Sequence, residues 1–314
     1  MLSVAQARNR SGGDPNGGPG PSKSGETPKA PGEGERPPPG LYIVATPIGN
    51  LGDITRRAAG LLAGVDTIAA EDTRVARRLL AALGIPAPRL VRYDDHAGDS
   101  DRDRLIQAIK QGESVALVSD AGMPLVADPG LKLVQAAHAA GLLVTVAPGP
   151  SAALSALALS GLPSDRFLFG GFLPPKDGAR RTALAELAGV PASLIFFESP
   201  GRLGASLAAM REVLGDRPAA VAREITKLFE EVRRGTLAEL AEHYANLDPP
   251  RGEIVVVIGP PSDEAPLPSL DEVDAKLRQA LAVLSVRDAV DKVAAETGLK
   301  RRDVYARALA LSMS

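Results

Sequence analysis

From Leu41 onward, short apolar runs alternate with amphipathic stretches. The run L-Y-I-V-A-T (41–46) ends at Pro47, Gly49 and Asn50, and a helical pattern follows from Ile54 to Leu62. This is strand, loop, helix. The alternation recurs through the strand D-T-I-A-A (66–70), helices from Thr73 to Leu83 and Asp101 to Lys110, and the strand S-V-A-L-V (114–118). A helix from Leu131 to Ala140 closes at Gly141, and L-V-T-V (143–146) runs into Pro148, Gly149 and Pro150. Strands with little inside/outside alternation, separated by amphipathic helices, predict a mostly parallel sheet covered on both faces.

Between Gly161 and Pro175 the pattern breaks into a turn-rich segment with aromatic residues, read as an interdomain junction. A second α/β unit follows. It has a strand at 193–198, a helix from Leu203 to Leu214, a strand at 219–224, a strand pair around 229–237 and a strand at 252–258. Pro260, Pro261, Pro266 and Pro268 mark a linker. Beyond it, Ser285 and Asp288 have the spacing of a helix start, and Val286, Ala289, Val290, Val293 and Ala294 share one helical face. Gly298 can stop that helix with Leu299 packing back, and a second helix carries Val304, Tyr305, Ala308 and Leu309. The pair reads either as a helix-turn-helix or as a helical hairpin packed on its own domain or a partner. The expected organisation is an extension (1–39), an α/β domain (40–160), a second α/β domain (161–259), a linker (260–269) and a helical module (270–314).

Composition changes this picture at the N-terminus. Residues 1–39 hold eight prolines and eight glycines with few large apolar residues, so the segment cannot offset its ordering entropy. It reads as a disordered extension or a misassigned start. The 314-residue chain carries 36 Lys and Arg against 38 Asp and Glu, a net charge of −2, so any nucleic-acid contact must rest on local patches. With no cysteine and three scattered histidines, a metal cage is not expected. No apolar run approaches the ~18 residues of a membrane span.

Three glycine-containing loops follow apolar strands: T-P-I-G-N-L-G-D (46–53), S-D-A-G-M-P-L-V-A-D-P-G (119–130) and A-P-G-P-S-A (147–152). Loops at the carboxyl ends of parallel strands converge on one crevice, where glycine lets backbone approach a ligand. Neither a P-loop nor a G-x-G-x-x-G fingerprint is present, and no G-x-S-x-G elbow anchors a hydrolase triad. From the residues alone, the reading is an α/β enzyme with one ligand cleft.

These loops, with A-A-E-D-T-R (69–74), G-L-P-S-D-R-F (161–167), F-E-S-P-G-R-L (197–203), A-R-E-I-T-K-L-F-E (222–230) and G-E-I-V-V-V-I (252–258), closely resemble in order the ribosomal RNA small subunit methyltransferase I family. The resemblance covers about residues 41–312. It implies a tetrapyrrole-methylase-like (class III methyltransferase) two-domain α/β fold and S-adenosylmethionine as cofactor. It further implies a cytoplasmic homodimer that methylates the ribose 2′-oxygen of a decoding-centre cytidine in 16S rRNA of the small ribosomal subunit. The sequence departs from the pattern at Met123, where threonine is usual, and at Gly201, where histidine is common.

The resemblance further implies cofactor contacts at Pro47, Asp120, Ala121, Gly122, Ser151 and Ala152, with Asp128 shaping the second loop. Asp120 can instead cap the following turn. Candidates for proton removal are Glu71, Asp72, His96, Glu198, Glu224 and Lys227, and the sequence does not choose among them. A carboxylate of A-E-D-T-R can equally pair with Arg74 or Arg77, and His96 can be an exposed loop residue. Arg74, Arg202, Arg223, Lys227, Lys300, Arg301 and Arg302 are candidates for RNA phosphate contact. Two other readings stay open: a tetrapyrrole substrate on the same fold, and a non-catalytic factor in ribosome assembly.

Overall fold

The computed structural model describes residues 36–245, 247–261, 270–282, 284–297, 299 and 301–312. Most of the expected extension, most of the proline linker, Gly298 and Lys300 lie outside the described residues. The first half of the chain runs β1 (Gly40–Val44), α1 (Arg56–Gly64), β2 (Thr67–Ala70), α2 (Thr73–Ala82), β3 (Arg89–Arg92), α3 (Asp99–Lys110), β4 (Ser114–Val118), α4 (Leu131–Ala139) and β5 (Val144–Ala147). Its sheet has the order β3-β2-β4-β1-β5, and every pairing is parallel. β2 and β4 are buried at every position, as helices on both faces require. α1 and α2 bury Leu61, Leu62 and Leu80 against Tyr42 and Ile68 on one face, while α3 and α4 bury Ile106 and Leu133 against Leu41 and Leu117 on the other.

The second half runs α5 (Ala152–Ser160), β6 (Phe167–Phe172), α6 (Asp177–Leu187), β7 (Ser193–Glu198), α7 (Leu203–Leu214), β8 (Pro218–Arg223), β9 (Glu231–Thr236), α8 (Leu237–Ala245) and β10 (Ile254–Ile258). This sheet is mixed, with the order β6-β7-β10-β8-β9; only β6 and β7 pair in parallel. The segment expected to be a turn-rich junction contains strand β6. Gly170 reads as a turn residue in sequence, but here it lets the Phe196 ring press on the strand: a Cβ at this position would lie 2.4 Å from a ring carbon. The register shifts between Phe169 and Phe172, so the two glycines make a bulge rather than a chain reversal.

Helix α5 is the joint between the halves. Its chain leaves the first sheet at β5, yet its buried face packs on the second: Ala153, Ala156 and Leu157 share one core with Ile195, Ala222, Val255 and Val257. Ser151 caps its start by accepting from the Leu154 N–H, and Gly161 ends it in the left-handed conformation (φ 73°). Arg234 of β9 donates to the carbonyls of Leu159 and Ser160, satisfying groups that a helix end leaves open.

At the C-terminus, α9 (Leu270–Leu281), α10 (Val286–Thr297) and α11 (Arg301–Ser312) enclose a core of their own. Ala289, Val290, Val293, Val304 and Ala308 are buried in it, whereas Tyr305 and Leu309, expected on the apolar face, are each 43% exposed. Asp274 of α9 holds Arg307 of α11 at 2.6 Å, so the first helix, absent from the sequence reading, completes the module. No helix among the described residues is long and apolar enough to cross a membrane.

Leu157 is buried in this shared core, so Leu157→Ala is expected to cost about 2–5 kcal/mol. A lowered midpoint in urea denaturation followed by far-ultraviolet circular dichroism checks this.

Candidate active site

The loops that follow β1, β2, β4 and β5 meet the ends of β7 and β10 around a cleft of about 410 Å³. From the first half come Ile48, Glu71, Asp120 to Met123, Val126 to Asp128, Ser151 and Ala152; from the second come Phe172, Phe197 to Pro200 and Gly252 to Val255. Backbone bonds stitch the first two glycine loops together: Thr46 N–H donates to Gly122 O at 2.9 Å, and Gly122 N–H returns to Thr46 O at 3.1 Å. That bridge needs Gly122 at φ 83°, a region costly for other residues.

The loop between β8 and β9 closes one side. Asn50 N–H donates to Thr226 Oγ1 at 3.1 Å. The Lys227 stem fills the space where a Cβ on Gly49 would stand, 2.4 Å from its Cγ. Among the described residues, the non-glycine residues with positive φ are Leu125 (73°), Ala127 (63°), Glu224 (50°) and Thr226 (67°). Leu125 and Ala127 belong to the loop after β4 that lines the cleft, and Glu224 and Thr226 to the loop after β8, which packs on Gly49 and Asn50. Such conformations cost roughly 1–3 kcal/mol each and persist where the surroundings over-determine them.

Of the carboxylates that line the cleft, Glu71, Asp120 and Asp128 are pushed above the ordinary carboxylate range. For Glu71 the cause is burial, followed by the charges of Asp128 and Asp120. For Asp120 it is burial, opposed by the Asp72 N–H, which donates to its Oδ1 at 3.1 Å. For Asp128 it is burial again, opposed by a hydrogen bond from Ser119. An acidic patch beside the apolar walls of Ile48, Met123, Val126, Phe172 and Phe197 suits a ligand with a positive centre and a flat apolar part.

The other candidates sit differently. Asp72 is the N-cap of α2 and binds Arg74 through paired hydrogen bonds, which hold its carboxyl far below the usual range. This is the helix-start ion pair rather than a cleft base. Glu198 lines the cleft, but its buried carboxylate accepts from Ser199 N–H (2.7 Å) and Ser206 Oγ (2.5 Å) and pairs with Arg202 (2.6 Å). It anchors the turn Pro200–Arg202. Lys227 is held between Glu224 (2.8 Å) and Glu253 (3.2 Å). Arg223 pairs with Glu231, Arg301 with Asp291 and Arg302 with Asp303. His96 lies in an exposed loop. Pro47 is half-buried beside Ile48, outside the cleft lining. Sequence reasoning missed the apolar walls Phe172, Phe197 and Val255 and the acidic Glu253, although all but Phe172 lie in motifs it had matched.

Residues 40–241 match the family model of Tetrapyrrole (Corrin/Porphyrin) Methylases, and residues 268–312 match the RsmI C-terminal HTH domain. The chain is 52% identical over 274 residues to "Ribosomal RNA small subunit methyltransferase I" of Mesorhizobium japonicum, covering 87% of this chain and 92% of that protein. It is 55% identical over 275 residues to the protein of that name from Erythrobacter litoralis, covering 87% of this chain and 95% of that one. The chain belongs to the ribosomal RNA small subunit methyltransferase I family. Its fold is that of the tetrapyrrole methylases: the crystal structure of the methyltransferase CobJ superposes with a TM-score of 0.52 at 21% identity, covering 70% of this chain and 93% of that one. Against the family's pattern, Met123 adds to the apolar wall of the cleft, and Gly201 leaves Arg202 to brace the turn by donating to Leu173 O and Ser199 Oγ.

A carboxyl with a raised folded-state pKa binds its proton more tightly in the native chain than in the unfolded one. Its contribution to stability is therefore lost as pH rises through the window above the ordinary carboxylate value, and regained on acidification. Asp128→Asn is expected to raise the thermal midpoint at pH 7, with the gain vanishing below about pH 4, the ordinary aspartate range. Melting curves across pH 3.5–7.5 (a span of about four units around that range) check the sign.

Proposed function

We propose that this chain transfers a methyl group from S-adenosylmethionine to the 2′-hydroxyl of a decoding-centre cytidine in 16S rRNA of the small ribosomal subunit, as a cytoplasmic homodimer. One observation carries the reading. Residues from six of the eight motifs, in family order, frame one acidic and apolar cleft, and the chain continues into the helical domain typical of that family.

The cleft fits the cofactor. Its volume lies in the range of small-molecule sites, and its carboxylates favour a sulfonium and an ammonium. Asp120, Ala121, Gly122 and Asp128 supply one wall. Ser151 and Ala152 supply another, at the start of α5, where first-turn N–H groups have no partner within the helix and suit an anionic group. Pro47 shapes the first loop from behind Ile48. When bound, the cofactor supplies an electrophilic methyl group for in-line displacement by oxygen.

The protein must align the ribose oxygen and take its proton. Of the six residues first considered for that proton, Glu71 has the fitting environment: it faces the cleft, has no ion-pair partner among the described residues, and burial raises its pKa, which makes it a stronger base. Glu198 and Lys227 act as positioning residues, holding the turn after β7 and the loop after β8. The homodimer is supported by the outer face of α5, where Leu154 is 52% exposed on a helix without a charged residue, and by Val146 of β5, which is 40% exposed. Light scattering of the purified chain is expected to read twice the monomer mass.

Small subunits from a strain lacking this gene, incubated with the enzyme and S-adenosylmethionine, are expected to gain ribose methylation at a decoding-centre cytidine. An unmodified cytidine overturns the assignment. Glu71→Gln is expected to lower kcat by about 10²-fold or more, with cofactor affinity little changed in calorimetry.

A further inference from the structure

The cations that sequence reasoning offered for RNA contact are largely committed elsewhere. Arg74, Arg202, Arg223, Lys227, Arg301 and Arg302 all have carboxylate partners within the chain. The cleft itself presents Glu71, Asp120, Asp128 and Glu253, which repel a phosphate backbone. The net charge of −2 offers no long-range attraction in compensation. A polyanion that sends one nucleotide into this cleft therefore needs cations at the rim that are not already neutralised.

Helix α2 provides them. Its first residue follows Asp72, whose N–H donates to Asp120 on the cleft wall, so the helix rises directly from the rim. Ala76 and Leu80 face the core. Arg74, Arg77 and Arg78, spaced three and four residues apart, share the opposite, exposed face. Among the described residues no ion pair is recorded for Arg77 or Arg78, while Arg74 is held by Asp72. Arg78 is close enough to the rim to act on Asp120 through its charge.

Resting on the rRNA substrate proposed above, we infer that Arg77 and Arg78 on α2 form a phosphate-binding track that guides the RNA strand flanking the target nucleotide across the cleft mouth. Guanidinium groups suit this role because they present several donors to phosphate oxygens and stay charged at any working pH. Such contacts carry no sequence information; they fix the register of the strand.

The test uses the full-length chain, small subunits lacking the modification, and the double variant Arg77→Gln/Arg78→Gln. Binding is measured across a salt series, and methyl transfer at fixed salt. The variant is expected to raise KM for the subunit and to flatten the slope of log K against log salt by about 1.4, from ~0.7 per single-strand phosphate. Its kcat and its calorimetric affinity for S-adenosylmethionine are expected to match the parent, and Arg77→Lys/Arg78→Lys is expected to restore most of the slope. A double variant with the parent's slope and KM overturns the inference, as does a slope that changes only when Arg301 and Arg302 are replaced. If the parent chain neither binds nor methylates the subunit, the proposed function itself fails, an outcome separate from a silent variant.

Discussion

Everything about the cleft depends on α5, which leaves the parallel sheet at its N-terminal end and buries its apolar side against the mixed sheet. The helix follows directly from β5 of the parallel sheet, but its apolar side is covered by β7, β8 and β10 of the mixed sheet. Burial of Ala153, Ala156 and Leu157 is thus an inter-sheet contact, and it sets the distance between the two halves of the binding site. Arg234 reinforces it from the far edge by capping the helix end with a side chain from β9. The same helix begins at Ser151 and Ala152, so one element both joins the sheets and lines the cleft.

The parallel sheet was largely legible in the sequence because most of its strands are short, apolar runs separated by amphipathic helices; the edge strand β3, R-L-V-R, has charged ends and went unread. Its strand ends therefore located the three glycine loops correctly. The mixed sheet was less so. β6 carries two adjacent glycines, of which Gly170 admits the Phe196 ring of a strand distant in sequence, and locally the pair is indistinguishable from a turn. α5 has no polar face to give it a helical period, since it is apolar nearly all round. α9 went unread, and its Asp274 contributes to the module through an ion pair across 33 residues.

At the site, the sequence identified residue types and loops but not commitments. Nothing in F-E-S-P-G-R-L reveals that Glu198 spends its carboxylate on Ser206, eight residues on, or that Arg202 completes the same network. Likewise, Lys227 is chemically free in a linear reading and fixed by two glutamates in space. Ion pairing depends on which loops meet, and the loop that holds Lys227 has Glu224 and Thr226 in backbone conformations that no local preference favours. Glu71 belongs to one motif and Asp120 and Asp128 to another, and burial together with the charges of those two aspartates raises Glu71.

That convergence makes the cleft a charge discriminator. Three carboxylates raised chiefly by burial, with neighbouring carboxylate charges adding to the effect, reward an occupant that brings positive charge and give little to a neutral occupant of the same shape. A methyl donor that enters as a sulfonium leaves as an uncharged thioether after transfer. Alkylation therefore removes one of the positive charges that the wall favours, and the weakened hold on the spent molecule follows from the electrostatics of the same wall that admitted the donor.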